Sequence, residues 1–184
     1  SPTEVTEIDL RSGKSRQLKI SVPPNGHDST TYIVKRHYGV SGDGQLVPLT
    51  IVHHKDVVPN HGSPVLLTGY GAYGMSLTPR FSATRRILLT RGVIHVTAHV
   101  RGGMEKGYQW YRSGRMADKD KSFDDFVGAA ESLIRDGYTS AGHIIIHGGS
   151  AGGLLVGAVA MRRPELFRGV IADVPFVDVL KTML

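Results

Sequence analysis

Apolar and polar residues alternate in four short segments near the start of the chain, which predicts two β-hairpins. The first pair of segments covers residues 5–10 and 16–20, and the second covers residues 32–38 and 46–53. Each pair is joined by a turn rich in serine and glycine, as is typical of antiparallel strands. A lone hairpin is marginally stable in water, so we expect the first one to pack on a part that is absent here.

Beyond residue 60 the pattern changes to apolar strands that alternate with helices. The predicted elements are strands at residues 64–68, 93–98, 143–147 and 169–174, and helices at residues 80–90, 122–135 and 151–161. Alternation of this kind predicts an α/β fold, with a mostly parallel sheet that is covered by helices on both faces.

The most informative motif is G-x-S-x-G at residues 148–152, directly after an apolar strand and directly before a helix. In that context the serine of the motif lies on a sharp turn, with its hydroxyl raised above the sheet edge. The turn also points the N–H of Ala151 toward a developing oxyanion, where the helix N-terminus adds partial positive charge. Ser150 could instead only cap the helix, but the strand before it and the surrounding glycines favour a nucleophile.

A second glycine-rich motif, G-x-G-x-x-G at residues 69–74, matches the dinucleotide-binding fingerprint of an NAD-dependent oxidoreductase. Two features count against that class. Residues 75–79 delay the helix that the third glycine should open, and the acid expected about 20 residues further on is missing. The glycines are better interpreted as a loop over the active site. Tyr70 or Tyr73 would point at the substrate from that loop, or both would pack beneath it.

Composition narrows the class of protein. The chain has 184 residues, 40% hydrophobic and 21% charged, which is the balance of a soluble globular protein. It has no cysteine, which excludes disulfides and thiolate chemistry and fits the cytoplasm. Although the net charge is +6, the basic residues are scattered, so we expect no nucleic-acid partner. No apolar run is long enough for a membrane span and no signal peptide is visible, and we expect no metal and no cofactor.

The partners of a serine nucleophile are not evident. α/β-hydrolases place the acid and the histidine after the serine, and no histidine follows Ser150. Asp173 and Asp178 follow it, and either could be the acid, although a cap or a surface ion pair is their commoner role. Arg101, which begins an Arg-Gly-Gly segment after a strand, could position substrate, but a tight turn is favoured.

Several motifs occur in order along the chain. They are YGAYG at residues 70–74, AHVRGG at 98–103, QWY at 109–111, FDDF at 123–126, GGSAGG at 148–153 and PELF at 164–167. Together they resemble the prolyl oligopeptidase family of serine peptidases. Ala151 after the serine, and VPFVDV at residues 174–179, are more similar to the oligopeptidase B branch.

The resemblance implies an α/β-hydrolase domain paired with a β-propeller that admits only short peptides. Residues 1–31 would be the tail of the propeller and residues 32–184 the N-terminal portion of the hydrolase domain. Ser150 matches the family's nucleophile. Tyr70 matches the tyrosine that shares the oxyanion hole with the Ala151 N–H. Tyr73 matches an aromatic residue of the pocket for the side chain before the scissile bond.

The implied activity is hydrolysis of short peptides after basic residues through an acyl-enzyme. The family's aspartate and histidine lie well beyond the serine, so both are expected past Leu184, and the chain alone is expected to be inactive. Thr78 and Arg80 stand where some members carry acids for a second basic subsite, which argues against a preference for paired basic residues. A carboxylesterase on the same fold and an inactive fragment remain as alternatives.

Overall fold

The computed structural model describes residues 2–23, 26–78, 80–178 and 180. The strands are β1 (Glu4–Ile8), β2 (Ser15–Ile20), β3 (Tyr32–Val40), β4 (Leu46–His54), β5 (Val65–Thr68), β6 (Ile94–Ala98), β7 (Ile144–Gly149) and β8 (Phe167–Asp173). The helices are α1 (Ala83–Leu89), α2 (Tyr108–Arg112), α3 (Asp120–Arg135) and α4 (Ala151–Arg162), with short 3₁₀ turns at Ser29–Thr31, Met116–Asp118 and Pro164–Leu166. The motif residue Val179 and the end of the expected domain, 181–184, lie outside the described residues.

Every predicted strand and helix is present, with ends that differ by a few residues. The largest difference is at α1, which begins at Ala83 because the Ser82 hydroxyl caps it by accepting a hydrogen bond from the Arg85 N–H at 3.2 Å. Helix α2 was not predicted. It has five residues and no side-chain cap, and its Trp110 is buried with the indole N–H donating to the His99 carbonyl at 3.0 Å. Tertiary packing holds a helix that its own sequence would not sustain.

Six strands form one sheet in the order β3-β4-β6-β5-β7-β8. The β3–β4 and β4–β6 pairs are antiparallel, and the other three pairs are parallel. Thr68 at the end of β5 pairs with Thr97 on one side and with His147 on the other. The predicted mostly parallel sheet is confirmed, and its parallel strands all end at one edge, where sites of α/β folds form.

Helices cover both faces of this sheet, as predicted. Helices α3 and α4 pack on one face, where Phe126 and Leu155 are fully buried against the strands. Helix α1 packs on the other face, where Arg85 and Leu88 adjoin His95. Alternate residues of a strand point to opposite faces, so the sheet presents its aliphatic core to α3 and α4 and a more polar surface to α1.

The first hairpin lies apart from this sheet. Strands β1 and β2 form their own two-stranded antiparallel sheet, and all their residues are exposed, including Val5, Ile8 and Leu18. The assignment of residues 1–31 to a propeller stays a prediction. Among the described residues, no helix combines the length and the apolar character that crossing a membrane requires.

Candidate active site

Ser150 joins β7 to α4 through a turn with an unusual backbone conformation. Its φ of 53° and ψ of −119° are sparsely populated for a residue with a Cβ, at a cost of about 1–3 kcal/mol. Main-chain hydrogen bonds hold this conformation. The Ser150 N–H donates to the Asp173 carbonyl at 2.9 Å, and the Phe176 N–H donates to the Ser150 carbonyl at 3.0 Å. The end of β8 and the segment after it therefore hold the turn that carries Ser150 through main-chain hydrogen bonds.

The glycines of the motif are required by close contacts rather than by flexibility. A Cβ atom on Gly148 would lie 2.0 Å from the Gly152 carbonyl oxygen, and one on Gly152 would lie 2.7 Å from the Gly69 carbonyl oxygen. No side chain fits either space. Residues 148–153, called the elbow below, therefore fold tightly enough to bring β5, β7 and the start of α4 together.

The Ser150 side chain is exposed, and within the described residues it makes no capping hydrogen bond to the first turn of α4. This geometry argues against the interpretation of Ser150 as only a helix cap. Ala151 is the first residue of α4, so its N–H belongs to the group of donors that a helix leaves without an internal partner. Ser150 thus lies beside the first turn of α4, at the positive end of the helix dipole.

Tyr70 approaches the elbow from the neighbouring strand. It follows β5 in the loop of residues 69–74, called the tyrosine loop below, whose Gly69 N–H donates to the His147 carbonyl at 3.3 Å. A Cβ on Gly152 would lie 3.3 Å from Cδ2 of Tyr70, so the ring adjoins the first turn of α4. Tyr70 and Ser150 line the same cleft, which has a volume of about 670 Å³.

Tyr73 lies further out on the same loop. Its φ is 57°, the residue is 72% exposed, and its ring centroid is 6.5 Å from that of Tyr70. The alternative that both tyrosines pack beneath the loop is therefore wrong for Tyr73. The third glycine of the motif, Gly74, opens no helix, since α1 begins only at Ala83. This placement counts further against a dinucleotide site.

Arg101 lies in the loop after β6 and holds that loop in place. The tyrosine loop packs against it. It is 3% exposed, and its Nε and Nη2 donate to the carboxylate of fully buried Asp125 at 2.9 and 2.5 Å. Nη1 donates to Asp43 at 2.6 Å. Burial acts to lower the pKa of Arg101, but hydrogen bonds to the two carboxylates outweigh it and raise that pKa above its ordinary value. The geometry favours the tight-turn interpretation of Arg101 over substrate binding.

The contact between the two loops is close. A Cβ on Gly102 would lie 2.1 Å from the Gly71 carbonyl oxygen, and the Gly74 N–H donates to the Gly102 carbonyl at 2.9 Å. The ion pair of Arg101 with Asp125 thus fixes, through Gly102, the backbone on either side of Tyr73. The sequence motifs contain both charged residues but give no sign that they meet.

Two histidines, His95 and His147, line the cleft. His95 is buried beside Ser150's cleft, and burial lowers its pKa to about 3, with smaller contributions from Arg85 and His147. A base this weak is poorly matched to accept a proton at neutral pH. The Nε2 of His147 lies 2.7 Å from Oδ2 of Asp173. The surface ion-pair role for Asp173 is thus the one the structure supports, and Asp178 lies exposed in the segment after β8.

His99, deeper in the fold, contacts the Thr50 hydroxyl through Nε2 at 2.8 Å, and its Nδ1 lies 3.4 Å from Glu105. Among the residues that the structure describes, no three histidine or acidic side chains come together as a possible metal site.

Comparisons with known proteins agree with this architecture. Residues 79–184 match the prolyl oligopeptidase family. The chain is 41% identical to dipeptidyl aminopeptidase BI of Pseudoxanthomonas mexicana and 40% identical to protease 2 of Moraxella lacunata, over its whole length in both cases. It covers 25% and 27% of those two proteins, about a quarter of their length.

A solved structure gives the same result. Oligopeptidase B from Leishmania major superposes with a TM-score of 0.93 at 38% identity, covering 100% of this chain and 26% of that one. The α/β-hydrolase fold expected from the elbow is confirmed by this likeness. The family match extends over more than half of the chain and includes the elbow. The chain belongs to the prolyl oligopeptidase family.

Proposed function

We propose that this chain supplies the nucleophile and oxyanion hole of a serine peptidase that hydrolyses short peptides. The observation that carries the proposal is the exposed Ser150 hydroxyl, held in a strained turn at the start of α4 and beside Tyr70. The chain spans about a quarter of its curated relatives, so the proposal concerns the enzyme that the complete gene encodes.

The proposed reaction is acyl transfer. Ser150 Oγ bonds to the peptide carbonyl carbon while its proton passes to a histidine, and the carbonyl oxygen becomes an oxyanion. The Ala151 N–H and the Tyr70 hydroxyl donate to that oxyanion. The C–N bond then breaks as the amine takes the proton, and water hydrolyses the acyl ester to free Ser150.

The histidine that accepts the proton is proposed to come from outside these 184 residues. His95 is too weak a base, and His147 precedes Ser150, whereas α/β-hydrolases place the triad histidine after the serine. We therefore expect the 184-residue chain alone to hydrolyse peptides poorly. Robust turnover of an arginyl amide by the purified chain would overturn this part of the proposal.

The proposed specificity is cleavage after basic residues, supported by the likeness to oligopeptidase B. Tyr73 is proposed to line the pocket for that residue, since it is exposed on the loop that carries Tyr70 and its ring centroid lies 6.5 Å from that of Tyr70. Residues 1–31 are proposed as the tail of a propeller, which their separate, exposed sheet supports. A cytoplasmic location is proposed from the cysteine-free sequence alone.

Active-site labelling tests the central role of Ser150. A fluorophosphonate probe should label the complete enzyme at Ser150, and Ser150→Ala should abolish both labelling and peptide hydrolysis. The matched control is Ser76→Ala, which removes an exposed hydroxyl from the loop after Tyr73 and should leave both unchanged. Full peptidase activity in Ser150→Ala would refute the proposal.

A substrate panel separates the possible activities. Peptides with a basic residue before the scissile bond are compared with neutral ones, and with esters of the same side chains. Free and blocked amino termini are included, because one relative is named a dipeptidyl aminopeptidase. Hydrolysis of esters without peptides would assign a carboxylesterase instead.

A further inference from the structure

Lys119 has an unusual environment for a lysine. It lies immediately before α3, and its ammonium group donates hydrogen bonds to the Gly71 carbonyl oxygen and, at 3.4 Å, to the Ser122 hydroxyl. The side chain lies over the ring of Phe123, 5.7 Å from its centroid. Lys119 is half-buried, and a lysine withdrawn from water usually has a carboxylate partner because its charge is costly to desolvate. Here both acceptors are neutral oxygens.

The acceptor of this bond belongs to the residue next to Tyr70. Gly71 has a φ of 68°, and a Cβ there would lie 2.7 Å from Cγ2 of Val100. The peptide is therefore packed closely on one side, while its carbonyl oxygen receives the hydrogen bond from Lys119. That bond restrains the backbone one residue from the proposed oxyanion donor.

Charged residues of the same segment, of α4 and of the loop after β6 form ion pairs among themselves. They are Asp118 with Lys121 at 2.8 Å, Asp120 with Arg162 at 2.8 Å, and Arg101 with Asp125 at 2.5 Å. The Arg162 guanidinium also lies 4.8 Å from the Phe123 ring centroid. Burial lowers the pKa of Lys119 from 10.5 to about 8. Its charge can thus change within a range of pH in which an enzyme is assayed.

We propose that Lys119 is a positioning residue whose ammonium group holds the Gly71 carbonyl, and thereby keeps the Tyr70 hydroxyl aimed at the oxyanion. The inference rests on the proposed role of Tyr70. A charged donor makes a stronger hydrogen bond than a neutral amine, so loss of the proton loosens the tyrosine loop. Activity therefore declines as the pH rises through about 8.

The same titration has the opposite effect on folding. The unfolded chain keeps the Lys119 proton up to pH 10.5, whereas the folded chain releases it near 8, so stability contributed by this group rises between those values. Deprotonation of Lys119 above pH 8 should therefore lower kcat without lowering the stability of the fold. A thermal melt at each pH separates the two effects.

The test compares the pH profiles of kcat and KM for the complete enzyme and its variants, from about pH 6.5 to 9.5. We expect an alkaline decline near pH 8 in the unmodified enzyme. In Lys119→Gln we expect kcat about 10-fold lower at neutral pH, little change in KM and no decline near 8. Lys119→Arg retains its charge, so it should keep more activity and show no decline below about pH 9.5. The control Lys121→Gln removes an exposed cation and should follow the unmodified profile.

A double-mutant cycle shows whether Lys119 acts through Tyr70. On a Tyr70→Phe background, Lys119→Gln should cause little further loss of kcat. The inference is overturned if the decline near pH 8 persists in Lys119→Arg, or if the two losses are additive. Lys119→Arg keeps this test available even if the glutamine variant misfolds. Failure of the proposed function itself is seen separately, as activity in Ser150→Ala.

Discussion

The two loops that meet at the cleft are stabilised in different ways. The elbow is held by main-chain hydrogen bonds at Ser150 and by glycine contacts too close for any side chain. The tyrosine loop instead rests on ionised side chains, with Lys119 bonded to Gly71 and the Arg101–Asp125 pair beneath Gly102. The position of the proposed nucleophile is therefore independent of charge, whereas that of the proposed oxyanion donor depends on charged side chains, of which Lys119 has a pKa lowered to about 8.

Removing the charge of Asp125 should have the largest effect on the stability of the tyrosine loop and of the fold. Asp125→Asn leaves the buried Arg101 guanidinium with Asp43 as its remaining carboxylate partner, and breaking a buried ion pair typically costs about 3–5 kcal/mol. We expect the free energy of unfolding, measured by urea denaturation, to fall by that order.

The neighbouring residue supplies the control. Asp124 lies on the same helix, but its ion pair with Arg162 is on the surface at 3.4 Å, so Asp124→Asn should change stability little. Equal effects of the two substitutions would contradict the view that a buried charge pair supports the tyrosine loop.

Tyr70→Phe should have the second largest effect. It tests the catalytic role of the tyrosine loop rather than the contacts that stabilise the loop. Loss of one oxyanion donor lowers kcat by about 10²–10³, or about 2.7–4 kcal/mol, with KM nearly unchanged. Kinetics of the complete enzyme measure this. Tyr108→Phe removes a hydroxyl from an exposed tyrosine that does not line the cleft, and it should leave kcat unaltered. An unchanged kcat in Tyr70→Phe would remove Tyr70 from the mechanism.

The elbow was predictable from the sequence because its determinants are local. An apolar strand, five consecutive residues of the motif and a helix of small residues specify the turn, and the structure adds only the distances. The sheet and its main helices were predictable for a similar reason, since period-two and helical patterns reflect burial on one face. The family resemblance then supplied candidate roles for Tyr70 and Tyr73.

The supports of the tyrosine loop were not predictable in the same way. Lys119 contacts Gly71 across 48 residues of sequence, and Arg101 contacts Asp43 across 58. Charged residues at such separations look like solvated surface when each is considered alone. Their pairing follows from the strand order β4-β6-β5-β7, which places loops from distant parts of the chain side by side at one edge.

Gly152→Ala should have the smallest of these effects, and it tests the elbow directly. The added methyl group would lie 2.7 Å from the Gly69 carbonyl oxygen and 3.3 Å from the Tyr70 ring, so the two loops must separate. Overpacking of this kind costs about 1–3 kcal/mol of stability. A displacement of the order of 1 Å between nucleophile and donor can lower kcat/KM by about 10².

Gly157→Ala, in the same helix, separates this clash from the ordinary effect of alanine. Its added Cβ would lie 3.6 Å from Val177, an ordinary contact, so the substitution should stabilise α4 by about 0.5–1 kcal/mol. Thermal unfolding and kinetics of both variants measure the difference. If Gly152→Ala keeps full activity, the contact between the elbow and the tyrosine loop is not what positions Ser150 against Tyr70, and the pH-independent half of the comparison fails.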